Sequence, residues 1–392
     1  MPAFCIIIQV HQPYRLKNYP FERIGRDHAW EDSALNITRL NQIADYCYLP
    51  ANNALMQAIE NSDEKFRFAF SISGTCLEQL FRYRPDVIDS FRKLGDTGCV
   101  EFLAQTYYHS LAGIYSPAEF RRQVVKHEKA IQHLLEQRPT VLCNTGLLHS
   151  DALLPAIEEL GYKTIFAEGI SSNVNGGNPD QVFHTGNGIQ VLARNSRVSD
   201  VIEHKIAQIQ EEKINPGDAA RQGIGELRES ASCITISVDY EIVGMPTLNN
   251  KNQVLTFLEG FPNQAQRQEN LQFMLPSDAW KTAGAEQASF HSPEWTSMIG
   301  ETKDAAAWCQ NHLQKDALKE LYDCETVVLK SGRPELIDQW GRLQTSDHFR
   351  YMNIPFSGNS TQNTINPYHS AYDAYLNYMN VLSDFRKLLE KG

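Results

Sequence analysis

Polar residues suited to proton transfer and to hydroxyl recognition stand where the apolar runs of this chain end. His11-Gln12-Pro13 follows the run Phe4–Val10. Glu101 lies within Cys99–Leu103, and His109 follows it in Thr106–Leu111. Gly146 follows Thr140–Cys143, Glu168 follows Lys163–Ala167, and Asp239 follows Cys233–Val238. A carboxyl group can hold or give a proton and accept bonds from hydroxyls, and an imidazole can do both. Any one of these residues is most simply a satisfied polar group at a strand end. Five converging on one face describe a site.

The elements that must position them alternate in type. Seven runs have strand character: Phe4–Val10, Phe66–Ser71, Cys99–Leu103, Thr140–Cys143, Lys163–Ala167, Gly188–Ala193 and Cys233–Val238. Between them, Asn53–Glu60, Leu77–Leu94, Ala118–Glu136 and Ala152–Leu160 carry apolar residues at helical spacing. Ser116-Pro117 supplies a helix cap and a proline at the first helical position. Strands alternating with helices predict a parallel sheet, here an α/β fold with an incomplete (β/α)7-type barrel. Such barrels carry their sites at the C-terminal ends of the strands. After about residue 275 strand signals mostly vanish, and the pattern is helical over Thr302–Gly341 and Ala371–Leu389. The expected division is a barrel over residues 1–280 and a C-terminal helical bundle over 281–392, with Thr282–Trp295 crossing between them.

Composition limits the partners. The 392 residues carry a formal net charge of -11, which argues against nucleic acid and suits a neutral ligand. No run is long enough to span a membrane, and Met1–Phe4 lacks the basic start of a signal peptide. None of the eight cysteines forms a CxxC pair, so their spacing predicts neither a zinc site nor another metal centre. Reduced thiols and a cytoplasmic location are the expectation, with no cofactor.

Taken in order, five segments resemble those of glycoside hydrolase family 57, in its α-amylase-like branch. They are His11-Gln12-Pro13, Val100–Ala104 with His109-Ser110-Leu111, Asn144-Thr145-Gly146-Leu147, Asp239-Tyr240-Glu241 with Gly244, and Leu343–Met352. The resemblance runs nearly the whole length. It implies that Asp239 is the acid/base of a retaining glycosidase. It also implies that Gly146 stands where the family carries its glutamate nucleophile. His11, Gln12, Glu101, His109, Glu168, Trp340 and Asp347 become candidates for substrate binding, with Trp340 as a stacking platform for a sugar ring. The implied ligand is an α-glucan or maltooligosaccharide.

The departures from the family pattern concern chemistry. A retaining glycosidase needs two carboxyl groups about 5–5.5 Å apart, and glycine supplies none. Downstream, Met245-Pro246 replaces the polar Glu-His of the branch. Three readings stay open: a glucan-binding homologue without retaining hydrolysis, an enzyme with an altered or inverting mechanism, and an interaction protein that binds no sugar. If the family geometry holds, the missing side chain at Gly146 should leave a void that a small anion could fill.

Overall fold

The computed structural model describes residues 2–174, 177–224, 231–244, 251–269, 271–282, 288–353 and 366–390. Ten strands appear among them. They are β1 (Ala3–Val10), β2 (Phe68–Ile72), β3 (Val100–Phe102), β4 (Val141–Cys143), β5 (Thr164–Glu168), β6 (Val182–His184), β7 (Gln190–Arg194), β8 (Cys233–Asp239), β9 (Gln272–Phe273) and β10 (Ala288–Ser289). Strand β1 lies between β2 and β8, all parallel. β2 continues to β3, β4 pairs with β5, and β5 pairs with β7, again in parallel. Two narrow seams close the ring. Ala104 bridges to Leu142, and Arg194 pairs with Thr235. The result is a seven-stranded parallel barrel, followed in the chain by helices. Each of its strands overlaps a run expected from sequence. Antiparallel β6 was not among those runs.

Side-chain alternation explains why these segments are strands. Along β1, Phe4, Ile6, Ile8 and Val10 pack outward against helices, while Ala3, Cys5 and Ile7 face the barrel interior. The interior is filled by Leu103, Val141, Cys143, Phe166 and Leu192, with Met274 and Ala279 packed among them. It is a packed core and not a channel, as expected of a parallel barrel.

The helices hold one surprise. The expected helix over Leu77–Leu94 is two, Gly74–Tyr83 and Pro85–Asp96. Arg84 between them has φ -142 and ψ 62, because a residue preceding proline is pushed out of the helical region. The cap at Ser116 is present. Its side chain accepts the Glu119 N–H at the start of the helix Pro117–Leu135.

After Ser289 the chain stays beside the barrel before turning helical. β10 pairs with β6, and Thr296 bridges His149. The helices His312–Tyr322, Pro334–Leu343 and Ala371–Glu390 then share an apolar core with Leu16, Tyr19, Leu111 and Leu148. These last four lie in the loops after β1, β3 and β4. The helices therefore sit over the C-terminal mouth of the barrel. Asn377 fastens the arrangement, accepting the Tyr19 N–H at 2.7 Å and donating to the Lys17 carbonyl at 3.1 Å. Among the described residues, no helix is long and apolar enough to cross a membrane.

Candidate functional site

A cavity of about 130 Å³ lies at this mouth, beneath the helices. Six of the residues singled out from sequence line it: His11, Gln12, His109, Gly146, Asp239 and Asp347. Arg15, Glu241, Ile299, Trp308 and Arg350 complete most of the wall. The first five of these six come from the ends of β1 and β8 and the loops after β3 and β4. Asp347 and Arg350 come from the short helix Ser346–Arg350. Arg350 lies in the fifth segment quoted above, so its position was legible there. No sequence signal marked Trp308.

The polar groups are tied together tightly. His11 Nε2 meets Asp347 Oδ2 at 2.8 Å, and His11 Nδ1 meets Ser73 Oγ at 2.7 Å. The His11 ring stacks on that of His109 at 4.0 Å between centroids. Burial, reinforced by the neighbouring His11, pushes His109 well below the usual imidazole range. His109 is therefore neutral at neutral pH. Burial alone would raise the Asp347 carboxyl, yet its pairing with His11 holds it well below the ordinary range. Gln12 Nε2 donates to Glu241 Oε1 at 2.5 Å, and the Tyr48 hydroxyl donates to the same oxygen at 3.0 Å. Glu241 is raised by burial against these two donors.

Asp239 is different. Its side chain opens to the cavity. The surrounding protein strips water from it and pushes its carboxyl above the usual range, opposed by Arg350, Arg194 and His11. A raised carboxyl in a cleft is suited to giving a proton. Its backbone N–H points at Glu203 Oε1, 3.4 Å away. Burial, then the charge of Asp239, pushes Glu203 up to about 7. Sequence reading did not single out Glu203, which lies in the middle of the helix Ser196–Gln210.

Gly146 has φ +53, in the left-handed region that favours glycine. A Cβ built there would meet the Trp308 ring at 2.7 Å and Ile299 Cγ1 at 3.0 Å. The expected void beside Gly146 is therefore absent, because an indole and an isoleucine already fill it. Leu147 and His109 also have positive φ, at 57° and 52°. Strained backbone of this kind gathers at sites.

Three candidates lie elsewhere. Trp340 is wholly buried in the helical core, its Nε1 donating to the Leu321 carbonyl at 3.0 Å. It offers no face to a sugar; the indole at the cavity is Trp308. Glu168 is also wholly buried, against Arg194 at 3.4 Å, and burial pushes it up to about 7. Glu101 accepts the Ser277 N–H at 2.9 Å, at the opposite end of the barrel from Asp239. Strand alternation turns it inward, and its bond to the turn Pro276–Thr282 sets it toward the wrong mouth. Met245 and Pro246 lie outside the described residues.

Glu101 yields a direct test. Burial raises it to about 7, so the folded state keeps its proton where an unfolded chain, with a glutamate pKa of about 4.3, has lost it. The carboxyl therefore costs stability progressively as pH rises from about 4.3 to about 7, and the cost is constant above that. Glu101→Gln is expected to raise stability at pH 8 by roughly 1–3 kcal/mol and to change little at pH 4. Urea midpoints at the two pH values check this. An equal shift at both would assign the effect to packing instead.

Among the described residues, no group of three His, Cys, Asp or Glu side chains is arranged to hold a metal ion. What the cavity offers is one open carboxyl, a His–Asp pair, two arginines and an indole. These are groups for binding hydroxyls and for proton transfer.

Comparison with known proteins agrees with this architecture. Residues 5–290 match the family profile of Glycosyl hydrolase family 57. A Methanocaldococcus jannaschii protein named "Putative alpha-amylase" is 28% identical over 399 residues, covering 98% of this chain and 84% of that one. The crystal structure of a GH57-type branching enzyme from Pyrococcus horikoshii superposes with a TM-score of 0.71 at 13% identity, covering 97% of this chain and 88% of that one. An alpha-amylase from Thermotoga maritima gives 0.65 at 12% identity, covering 100% and 94%. At such identities the structural likeness shows the fold, a barrel followed by helices. The family match covers most of the chain and reaches every barrel strand: this protein belongs to glycosyl hydrolase family 57.

Proposed function

We propose that this chain is an α-amylase-like homologue that binds α-glucan at the barrel mouth and does not carry out retaining hydrolysis. The observation that carries the reading is the Trp308 ring, 2.7 Å from where a side chain at position 146 would begin. By the resemblance, that position belongs to the nucleophile. The two other carboxyl groups of the cavity wall are engaged, Asp347 with His11 and Glu241 with Gln12 and Tyr48. Asp239 alone is left open, as a proton donor with no partner to form the glycosyl–enzyme bond. Binding needs less. Asp347, His11, Arg15 and Gln12 can bond to sugar hydroxyls, and Ile299 with the edge of Trp308 makes the apolar part of the wall. The protein acts within carbohydrate metabolism on this reading.

The expected result is heat on titration with maltooligosaccharides and no release of reducing sugar at ordinary enzyme rates, which are about 1–1000 per second. Turnover in that range, abolished by Asp239→Asn, would overturn the loss of hydrolysis. Silence with every α-glucan at millimolar concentration would favour an interaction protein that binds no sugar.

One observation favours a second reading, an enzyme of altered mechanism. Glu203 stands beside Asp239 with its carboxyl raised to about 7. Two neighbouring carboxyls shifted upward can serve as acid and base to an attacking water. This reading requires slow hydrolysis with inversion of configuration, lost on Glu203→Gln. Glu203→Gln without effect on a measurable rate removes it.

A further inference from the structure

A second cavity is larger than the one beneath the helices. It is a groove of about 540 Å³ at the opposite end of the barrel. Thr140 precedes β4, Lys163 precedes β5, and Thr164 and Gln190 open β5 and β7; all four line it. Its other side is formed by Ser277 and Trp280, from the turn Pro276–Thr282. Asp239 lies at the far end of its strand, so the two cavities are separated by the packed barrel interior.

Trp280 is the feature that needs an explanation. The chain has five tryptophans. Trp30, Trp308 and Trp340 are buried and Trp295 is half-buried. Trp280 is 51% exposed. A large flat ring left in water beside a concavity is a common mark of a binding site. The groups around it are hydrogen-bonding ones. Thr140 and Ser277 bring hydroxyls, Gln190 an amide, and Arg138 and Lys163 bring exposed N–H donors. Among the described residues, neither Arg138 nor Lys163 forms an ion pair. The lining is not purely cationic, because Glu128 belongs to it and accepts the Tyr162 hydroxyl at 2.5 Å. A mixed donor and acceptor wall around one aromatic face fits a neutral polyol better than a phosphate. The acidic chain as a whole disfavours a polyanion as well.

We propose that this groove is a second oligosaccharide site, away from Asp239, in which one ring of an α-linked glucose chain stacks on Trp280 while Arg138, Thr140 and Gln190 bond to its hydroxyls. The choice of sugar rests on the glucan reading of the upper cavity; the site itself rests on the groove and Trp280. A long glucan would thus be held at two ends of the barrel, and short sugars at either.

Maltoheptaose is the probe. Binding is read by calorimetry and by tryptophan fluorescence, to which Trp280 contributes the one solvent-exposed ring. Circular dichroism confirms that each variant folds, and the exposure of Trp280 makes its replacement safe. The parent is expected to show a fluorescence change on titration. Trp280→Ala should remove the part of that change that persists in His11→Ala, and weaken the binding assigned to it about tenfold. Arg138→Ala should weaken the same binding while leaving the ring in place. Binding lost in Trp280→Ala and kept in His11→Ala supports the groove and sinks the glucan reading of the upper cavity. Binding lost in His11→Ala and unchanged in Trp280→Ala overturns the groove and leaves the upper cavity standing. No heat and no fluorescence change in the parent overturns both.

Discussion

Gly146→Glu is expected to destabilise the protein by roughly 2–5 kcal/mol and to restore no hydrolysis. Two costs combine. Left-handed backbone costs a residue with a Cβ about 1–2 kcal/mol, and position 146 has φ +53. Forcing extra atoms into a filled space costs about 1–3 kcal/mol more. Here the space belongs to Trp308 and Ile299. The clash begins at Cβ, so Gly146→Ala should already show most of the loss. Combining Gly146→Glu with Trp308→Gly should cost less than the sum of the two single changes, because the new side chain enters the space the indole vacates. Urea denaturation of these three variants and of Trp308→Gly alone separates the terms. If Gly146→Glu alone were as stable as the parent and released reducing sugar, the indole would not be blocking a nucleophile position. The same packing predicts that azide and formate give no rescue, because the space they would need is taken.

His11→Ala carries the other large effect. His11 and Asp347 are paired at 2.8 Å, with side chains 18% and 20% exposed. Removing the imidazole leaves a carboxylate facing the cavity without its partner. The loss should be roughly 2–4 kcal/mol, below the top of the range for a fully buried pair because water reaches this one in part. His11→Ala with Asp347→Ala should be more stable than His11→Ala alone, since no orphan charge remains. The pH dependence has a definite sign. The folded carboxyl of Asp347 is depressed below its unfolded value of about 3.9. Its contribution is therefore complete above about pH 4 and is lost as pH falls toward the folded value. The gap between the parent and the double variant should be widest at neutral pH and narrow in acid. A gap that stays constant down to pH 2 would show that the pair contributes packing and no charge. Maltooligosaccharide binding at the upper cavity should disappear in both variants.

The frame was legible because it depends on local pattern. Phe4, Ile6, Ile8 and Val10 alternate with Ala3, Cys5 and Ile7, and that period makes a strand in any surroundings that bury both faces. Ser116-Pro117 starts a helix by chemistry within four residues. The order of polar residues after successive strands likewise implied one shared mouth, and His11, Gln12, His109, Gly146, Asp239 and Asp347 do meet there. Leu77–Leu94 went wrong by a local rule underweighted, the proline at 85.

What local pattern could not decide was which way a residue faces once elements are packed. Trp340 and Trp308 are both buried tryptophans of the helical region. One sits among helices and the other at the cavity, and the difference lies in how the helices cross over the barrel. Glu101 and Asp239 are both carboxylates on strands, but Asp239 ends β8 at the upper cavity while Glu101 bonds to Ser277 on the turn beneath the barrel. Gly146 shows the limit most clearly. Its identity says only that a side chain is missing; that Trp308, 162 residues later, fills the place is a fact of tertiary packing. Close packing leaves no vacancy unclaimed, and the claimant comes from whichever segment the fold brings near.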